Sequence, residues 1–432
     1  MKILIASTPA SGHLNPLLSV GKAAQSHGHE VVALCAHALR DLIEASGATF
    51  RAFPPVADFD LRNVDTEFPG FADVNPGPDR NLFIVKKAFV DTVPAQHEAM
   101  QQVLQDFPAD IILAESFLFG ILPMLLGPRS ERPPIVMLGT MPLHLSRDDG
   151  APLFAGLPPA THPSQREQYK AVYKAHHAAF LGPIDVDLQA TLLAMGIDPP
   201  AMTMFDSTVL LPDAFLQLTA PSFEYPRKNL PSSVRCVGAL PIVPNQAPLP
   251  PWADDIDGSR KVVLVTQGTL SNHDFTELVA PTLAALAEER DVLVVATAGG
   301  RSTETIPGPI PDNARLADYL PMEWLLPHVD VLVTNGGYGT VNQALGHGVP
   351  IVAAGSTEDK PDTGARVAWS GAGIDLQTVR PTTEVLRAAV RCLLDDPRYR
   401  RRADALATEF AAVDTTSEIL AVLTELAGVT AH

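Results

Sequence analysis

Twice along its 432 residues the chain runs the same series: a short unbroken apolar stretch, a turn, then a segment of helix length. The first series has such stretches at residues 2–7, 30–36, 110–114 and 135–139, and the second at 261–266, 292–297, 329–334 and 350–354. A strand without polar alternation belongs to a sheet covered on both faces, and strands separated by helices pair in parallel through right-handed crossovers. Between the two series, Pro241, Pro244, Pro248, Pro250 and Pro251 fall among small polar residues. Such a segment enters neither a helix nor a central strand, so residues 240–258 read as a linker. The expectation is an α/β protein of two parallel-sheet domains, residues 1–239 and 259–410, facing each other across a ligand cleft. Residues 411–432 are expected to form a closing helix that packs back on the first domain.

Local signals fill this frame. Asn15 suits a helix N-cap and Pro16 the first helical position, so a helix is expected from there to the Gly28 stop. Further helices are expected over residues 40–46, 165–179, 275–289, 341–347, 384–394, 398–411 and 417–426. The balance of 31 basic against 49 acidic residues, a formal charge of −18, speaks against nucleic acid or an anionic lipid surface as partner. The longest apolar stretch, residues 111–126, is broken by Glu115 and Pro123 and falls short of the roughly 20 residues a membrane helix needs. Cys35, Cys236 and Cys392 match no disulfide framework and no metal spacing. Three Asp-x-Asp pairs and the pairs His27/His29 and His176/His177 find no third ligand, so no metal is expected. A soluble, cytoplasmic protein with no stable membrane insertion is expected.

Two places carry chemistry. The loop of residues 7–16 follows the first strand, at the sheet edge where open α/β folds bind ligands, and it holds Gly12 and His13. A histidine there can take a proton and return it near neutral pH. Glu115 ends another strand of the same series and breaks an apolar run, which places a carboxylate on the same edge to orient that histidine. Taken alone, His13 reads equally as a loop residue that packs or caps, and Glu115 as a strand-end surface residue. The second place is Asn335-Gly336-Gly337-Tyr338-Gly339-Thr340, at a strand-to-helix junction. Glycines let backbone N–H groups converge, and a helix start adds unpaired donors and a positive dipole end, a combination that suits a phosphate or diphosphate. A second small-residue loop, with Thr266, Gly268 and Thr269, ends the first strand of the same domain. The glycine cluster reads equally as a tight turn with no ligand. Neither loop is a G-x-G-x-x-G or a P-loop, which sets aside a dinucleotide oxidoreductase.

Residues 12–16 and 318–360 together resemble nucleotide-sugar-dependent glycosyltransferases of the GT-B fold, with the bacterial natural-product (macrolide-type) branch of the UDP-glycosyltransferase superfamily as the nearest likeness. The resemblance implies two Rossmann-like domains, the first binding an acceptor and the second a nucleotide sugar. It implies inverting transfer from a UDP- or dTDP-sugar to a hydroxyl of a small, apolar acceptor, without metal or tightly bound cofactor, by a monomer or homodimer. His13 matches the family's general base, and Glu115 falls where an aspartate usually orients it. Thr269 matches a residue near the donor phosphates. Tyr319 matches the aromatic stacked on the nucleobase, Leu320 follows it, and Met322 matches the residue bonding the base edge through its backbone. Asn335 replaces a histidine that contacts the diphosphate, and Gln343 replaces a glutamate that holds the ribose. In Glu358-Asp359-Lys360, the lysine replaces the glutamine of a pair that reads the sugar. Phe71, Phe83, Phe89, Met141, Phe154 and Phe180 lie in the variable stretches and are candidates to line an apolar acceptor pocket. The three donor-site replacements motivate the alternative, a ligand-binding relative without turnover.

Overall fold

In the computed structural model, which describes residues 1–75, 77–242, 248–269 and 272–428, the strands form two parallel sheets. The first has seven strands: β1 (Lys2–Ala6), β2 (Glu30–Cys35), β3 (Thr49–Ala52), β4 (Ile111–Glu115), β5 (Ile135–Gly139), β6 (Ala214–Gln217) and β7 (Val234–Cys236), in the order β3-β2-β1-β4-β5-β6-β7. The second has six: β8 (Lys261–Thr266), β9 (Val292–Thr297), β10 (Ala314–Ala317), β11 (Val331–Thr334), β12 (Ile351–Ala353) and β13 (Gly373–Asp375), in the order β10-β9-β8-β11-β12-β13. Each sheet separates two cores. Ile3 and Ile5 of β1 face one cluster and Leu4 and Ala6 the other, and in β8 Val262 and Leu264 alternate likewise with Val263 and Val265.

The strand order reverses between β1 and β4 in the first sheet and between β8 and β11 in the second. Crossovers leave in opposite directions there, so a crevice opens beyond the carboxyl ends. Residues 7–13 and Glu115 stand at the first switch point, and residues 267–269 and 335–340 at the second.

The strands outside the expectation are β3, β6, β7, β10 and β13, four of them edge strands. Edge strands are covered incompletely, so Thr49–Ala52 and Ala314–Ala317 carry no unbroken apolar run to reveal them. The first helix also differs. It spans Ser11–Ser26, five residues earlier than Asn15 and Pro16 indicate, because the Ala10 carbonyl accepts from the N–H groups of both His13 and Leu14 at 3.0 Å and closes the first turn there. Pro16 lies inside the helix, and His13 rides on its opening turn rather than in a loop. The helix expected over 275–289 is shorter, Val279–Leu286, with Pro281 in its first turn, the part of a helix that needs no proline N–H.

The chain crosses between the two halves more than once. Ala220 and Phe223, which follow β6, lie in a core of the second sheet. The helix Pro397–Ala411 packs on that same core, whereas Ile419, Val422 and Leu423 of the helix Thr415–Leu426 are buried against the first sheet. Between the halves run polar contacts. The Gln217 side-chain amide donates to the Tyr338 hydroxyl at 3.1 Å, Asn342 donates to the Leu218 carbonyl at 3.2 Å, and buried Arg366 pairs with Glu224. Among the described residues no helix is long and apolar enough to cross a membrane.

Candidate active site

The parallel pairing of β1 with β4 sets Ala6 beside Ala114, so Thr8 and His13, beyond the end of β1, meet Glu115 at the end of β4. His13 Nδ1 lies 2.8 Å from Glu115 Oε2. The Glu115 carboxylate is fully buried and accepts three further hydrogen bonds, from the Thr8 hydroxyl, from the Thr8 N–H at 3.1 Å and from the Phe117 N–H at 2.7 Å. Burial alone would raise its pKa. The charge of His13 and these donors outweigh burial and hold it below the ordinary glutamate value. An ionised carboxylate only accepts, so its partner nitrogen Nδ1 carries a hydrogen, and in the neutral ring Nε2 keeps the lone pair. Burial also opposes the charged form of His13. The Glu115 carboxylate, helped by Asp359 and Glu358 from the second half, overcomes it and raises the imidazole pKa. The side chain of His13 is 24% exposed, enough to present a base to a ligand.

Across the crevice, Thr266, Thr297 and Thr334 end β8, β9 and β11 in register. Each hydroxyl accepts the N–H of the glycine two residues on: Gly268 at 3.1 Å, Gly299 at 3.3 Å and Gly336 at 3.3 Å. All three glycines have positive φ, the left-handed region that turns the chain away from the strand at once. Gly268 and Gly336 thereby spend the N–H groups that the sequence offers to an anion. The donors left are those of Gly337, Tyr338, Gly339 and Thr340 at the start of the helix Tyr338–Gly346, which have no partner among the described residues. Among the described residues a Cβ at Gly337 or Gly339 would meet nothing within 4 Å, so neither glycine serves internal packing there. The same holds for Gly12, on the helix that carries His13.

Residues 280–426 match the family described as Erythromycin biosynthesis protein CIII-like, C-terminal domain. Over 446 residues the chain is 39% identical to UDP-glycosyltransferase 2 of Phaeomoniella chlamydospora, covering 98% of this chain and 95% of that one. The chain belongs to the UDP-glycosyltransferase family. This glycosyltransferase is also 37% identical to the 4'-demethylrebeccamycin synthase of Lentzea aerocolonigenes, over 96% of each chain. Among solved structures, CalG4, the calicheamicin glycosyltransferase, aligns with a TM-score of 0.73 at 21% identity over 100% of this chain and 99% of that one. VinC, solved in complex with dTDP, aligns at 0.67 and 20% identity over 99% and 100%. At that identity both speak to the fold, which is GT-B. The relatives include fungal enzymes, so the likeness extends beyond the bacterial branch that the motifs resemble.

The other donor-site candidates of this glycosyltransferase are placed as follows. Asn335 is half-buried and its side-chain amide donates to the Gln267 carbonyl at 2.7 Å. Gln343 lies one turn beyond Gly339 on the same helix face. Thr269 is exposed at the end of its loop, and Tyr319 is 53% exposed beyond β10. Leu320 is buried, and Met322 opens the short helix Met322–Leu325. The Tyr338 ring is buried against the first half, so Tyr338 offers the crevice its backbone alone. Glu358 and Asp359 precede the helix Lys360–Ser370, which Lys360 opens. Burial pushes the Asp359 carboxyl up to about 6, against the pull of Lys360 and His13.

The acceptor-side candidates divide. Phe154 packs on Phe205 at 5.2 Å and on Phe117 at 6.4 Å, and Phe117 in turn meets the His13 ring edge-on at 5.9 Å. Phe89 joins this group through Phe117 at 5.9 Å. Phe71 and Phe83 instead pair with each other beside Phe59 and Phe68 in a separate cluster, and the Phe71 ring carries the Arg80 guanidinium at 4.9 Å. Met141 is buried and its carbonyl accepts from Gln217 at 2.8 Å, a place in the wall between the halves. Phe180 packs against the core of the first sheet. Sequence reasoning missed Phe117, whose position two residues after the strand-ending Glu115 was the available signal. It also missed His144, a buried imidazole 5.4 Å from the Phe117 ring that burial drives down to about 3 and so keeps neutral.

Proposed function

We propose that the enzyme transfers a sugar, with inversion, from a UDP- or dTDP-sugar to a hydroxyl of a small apolar acceptor. The first half binds the acceptor against Phe117, Phe154 and Phe89, and the second half binds the nucleotide sugar. The observation that carries this reading is the partly exposed, carboxylate-held His13 at one switch point, with an uncapped helix start at the other. His13 Nε2 takes the proton of the acceptor hydroxyl as its oxygen bonds to the anomeric carbon. The bond from that carbon to the diphosphate breaks, and its electron pair leaves on the phosphate oxygen. Ionised Glu115 stabilises the imidazolium, and the N–H groups of Gly337–Thr340 meet the charge that develops on the leaving group. Tyr319 offers its exposed ring to the nucleobase, and Gln343 can bond a ribose hydroxyl.

The test is a transfer assay with UDP-glucose and dTDP-glucose against a panel of phenols, indoles and aliphatic alcohols, read by mass spectrometry. One added hexose in β linkage, from these α-linked donors, is the expected product. An α-linked product would overturn the single displacement. Binding of UDP and dTDP without transfer to any acceptor would favour the alternative, a binding relative without turnover.

A further inference from the structure

Lys360 is a lysine with only 6% of its side chain exposed, an uncommon place for an ammonium group. Its stem runs along the floor of the crevice. A Cβ on Gly336 would meet Lys360 Cβ at 3.7 Å, and one on Gly355 would meet both Cβ and Cδ at 2.9 Å. The lysine thus lies against the backbone that leads into the helix start Gly337–Thr340. A small cavity beside the lysine is lined by Gln267, Glu277, Asn335, Thr357 and Lys360 among others, and among the described lining residues Lys360 is the cation. The ammonium group pairs with the Glu358 carboxylate and lies 3.4 Å from the Thr357 hydroxyl. Glu358 is a poor permanent partner: it is 63% exposed, and its backbone sits at φ 57°, strained for a residue with a Cβ.

A nucleoside diphosphate brings at least two negative charges to this place and gains more negative character as it leaves. A helix start supplies only about half a positive charge, and the Asn335 amide is neutral, with one of its two N–H donors taken by the Gln267 carbonyl. We propose that Lys360 supplies the positive charge that offsets the leaving diphosphate, and that Glu358 occupies the ammonium group until the donor displaces it. The step balances without further proton transfer, because the electron pair of the broken bond stays on the phosphate oxygen beside the ammonium group. The role rests on the glycosyl-transfer reading above, since it needs a nucleoside diphosphate at this helix start.

Calorimetric titration of the full chain with UDP, UMP and uridine tests it. Lys360→Gln is expected to weaken UDP by about 10- to 100-fold, the usual weight of a lost contact to a charge, and to leave uridine within about twofold. Glu358→Gln removes the competing carboxylate and is expected to tighten UDP by about threefold, a modest change typical of an exposed ion pair. Unchanged UDP affinity in Lys360→Gln, or equal losses for UDP and uridine, would overturn the role. If Lys360→Gln does not fold, Lys360→Arg, which keeps the charge, should retain UDP affinity, and weaker UDP binding in Glu358→Gln would count against the proposal. A wild-type protein that binds neither UDP nor dTDP would remove the donor reading itself, an outcome distinct from a wild type that binds UDP as tightly as Lys360→Gln does.

Discussion

His13 is held between two opposed effects, burial that favours the neutral ring and the Glu115 carboxylate that favours the charged one. Because the carboxylate prevails, the ring must lose its proton before it can act as a base, and it does so above the ordinary value of 6.5. The acid limb of kcat/KM is therefore expected above pH 6.5. Glu115→Gln removes the main raising influence and leaves burial opposed only by Asp359 and Glu358, so the limb should move to lower pH while the maximum rate falls. A limb that stays in place in Glu115→Gln would detach it from His13. His13→Ala should reduce transfer by about 10²–10⁴-fold, with UDP affinity unchanged, since the proposed base acts on the acceptor and not on the nucleotide. Steady-state rates alongside UDP titration of the same variant check both halves of that statement.

The strand ends shape the second switch point through backbone geometry rather than through side chains. Gly299 illustrates it: a Cβ there would sit 2.0 Å from the Gly268 carbonyl oxygen, and its φ of 63° is itself unfavourable for other residues. Gly299→Ala must push away the loop of residues 267–269. Thermal unfolding should register a loss of about 2 kcal/mol or more, the left-handed backbone alone costing roughly 1–2. UDP affinity should fall with it, although Gly299 supplies no donor of its own. A variant that melted and bound UDP like the wild type would show that the loop gives way freely. The row of three threonines was hidden in the sequence for a related reason. Each ends an apolar run, but their alignment depends on β8 lying between β9 and β11, an order no local signal contains.

At the level of the whole molecule, the halves are joined by buried polar contacts as well as by apolar surface. Glu224 and Arg366 are nearly inaccessible to water, and the Arg366 guanidinium also lies 4.2 Å from the Tyr225 ring centre. Removing one partner strands the other charge away from water, so Arg366→Met should cost about 3–5 kcal/mol. The double change Glu224→Gln with Arg366→Met should recover much of that loss, because no unpaired charge remains. Denaturant unfolding of the two variants decides it. If the single and double variants lost the same amount, the cost would lie in packing on Tyr225.

By itself the sequence determined which stretches become central strands, because a strand covered on both faces must be apolar throughout, and it marked His13, Glu115 and the glycine cluster as chemistry at strand ends. It could not show edge strands, whose half-exposed side chains break that signal, nor the true start of the first helix, which the Ala10 carbonyl sets. Only the tertiary structure decided that Glu115 meets His13, through the adjacency of β1 and β4. It alone parted Phe154 from Phe71 and Phe83, which share the same variable region of the chain, and it brought Asp359 and Glu358 within electrostatic reach of His13. The physical reason is common to all of these. Burial and backbone hydrogen bonding act on neighbours in sequence and leave a local imprint, whereas the order of strands in a sheet joins residues far apart in the chain, and each sequence segment records only its own half of such a contact.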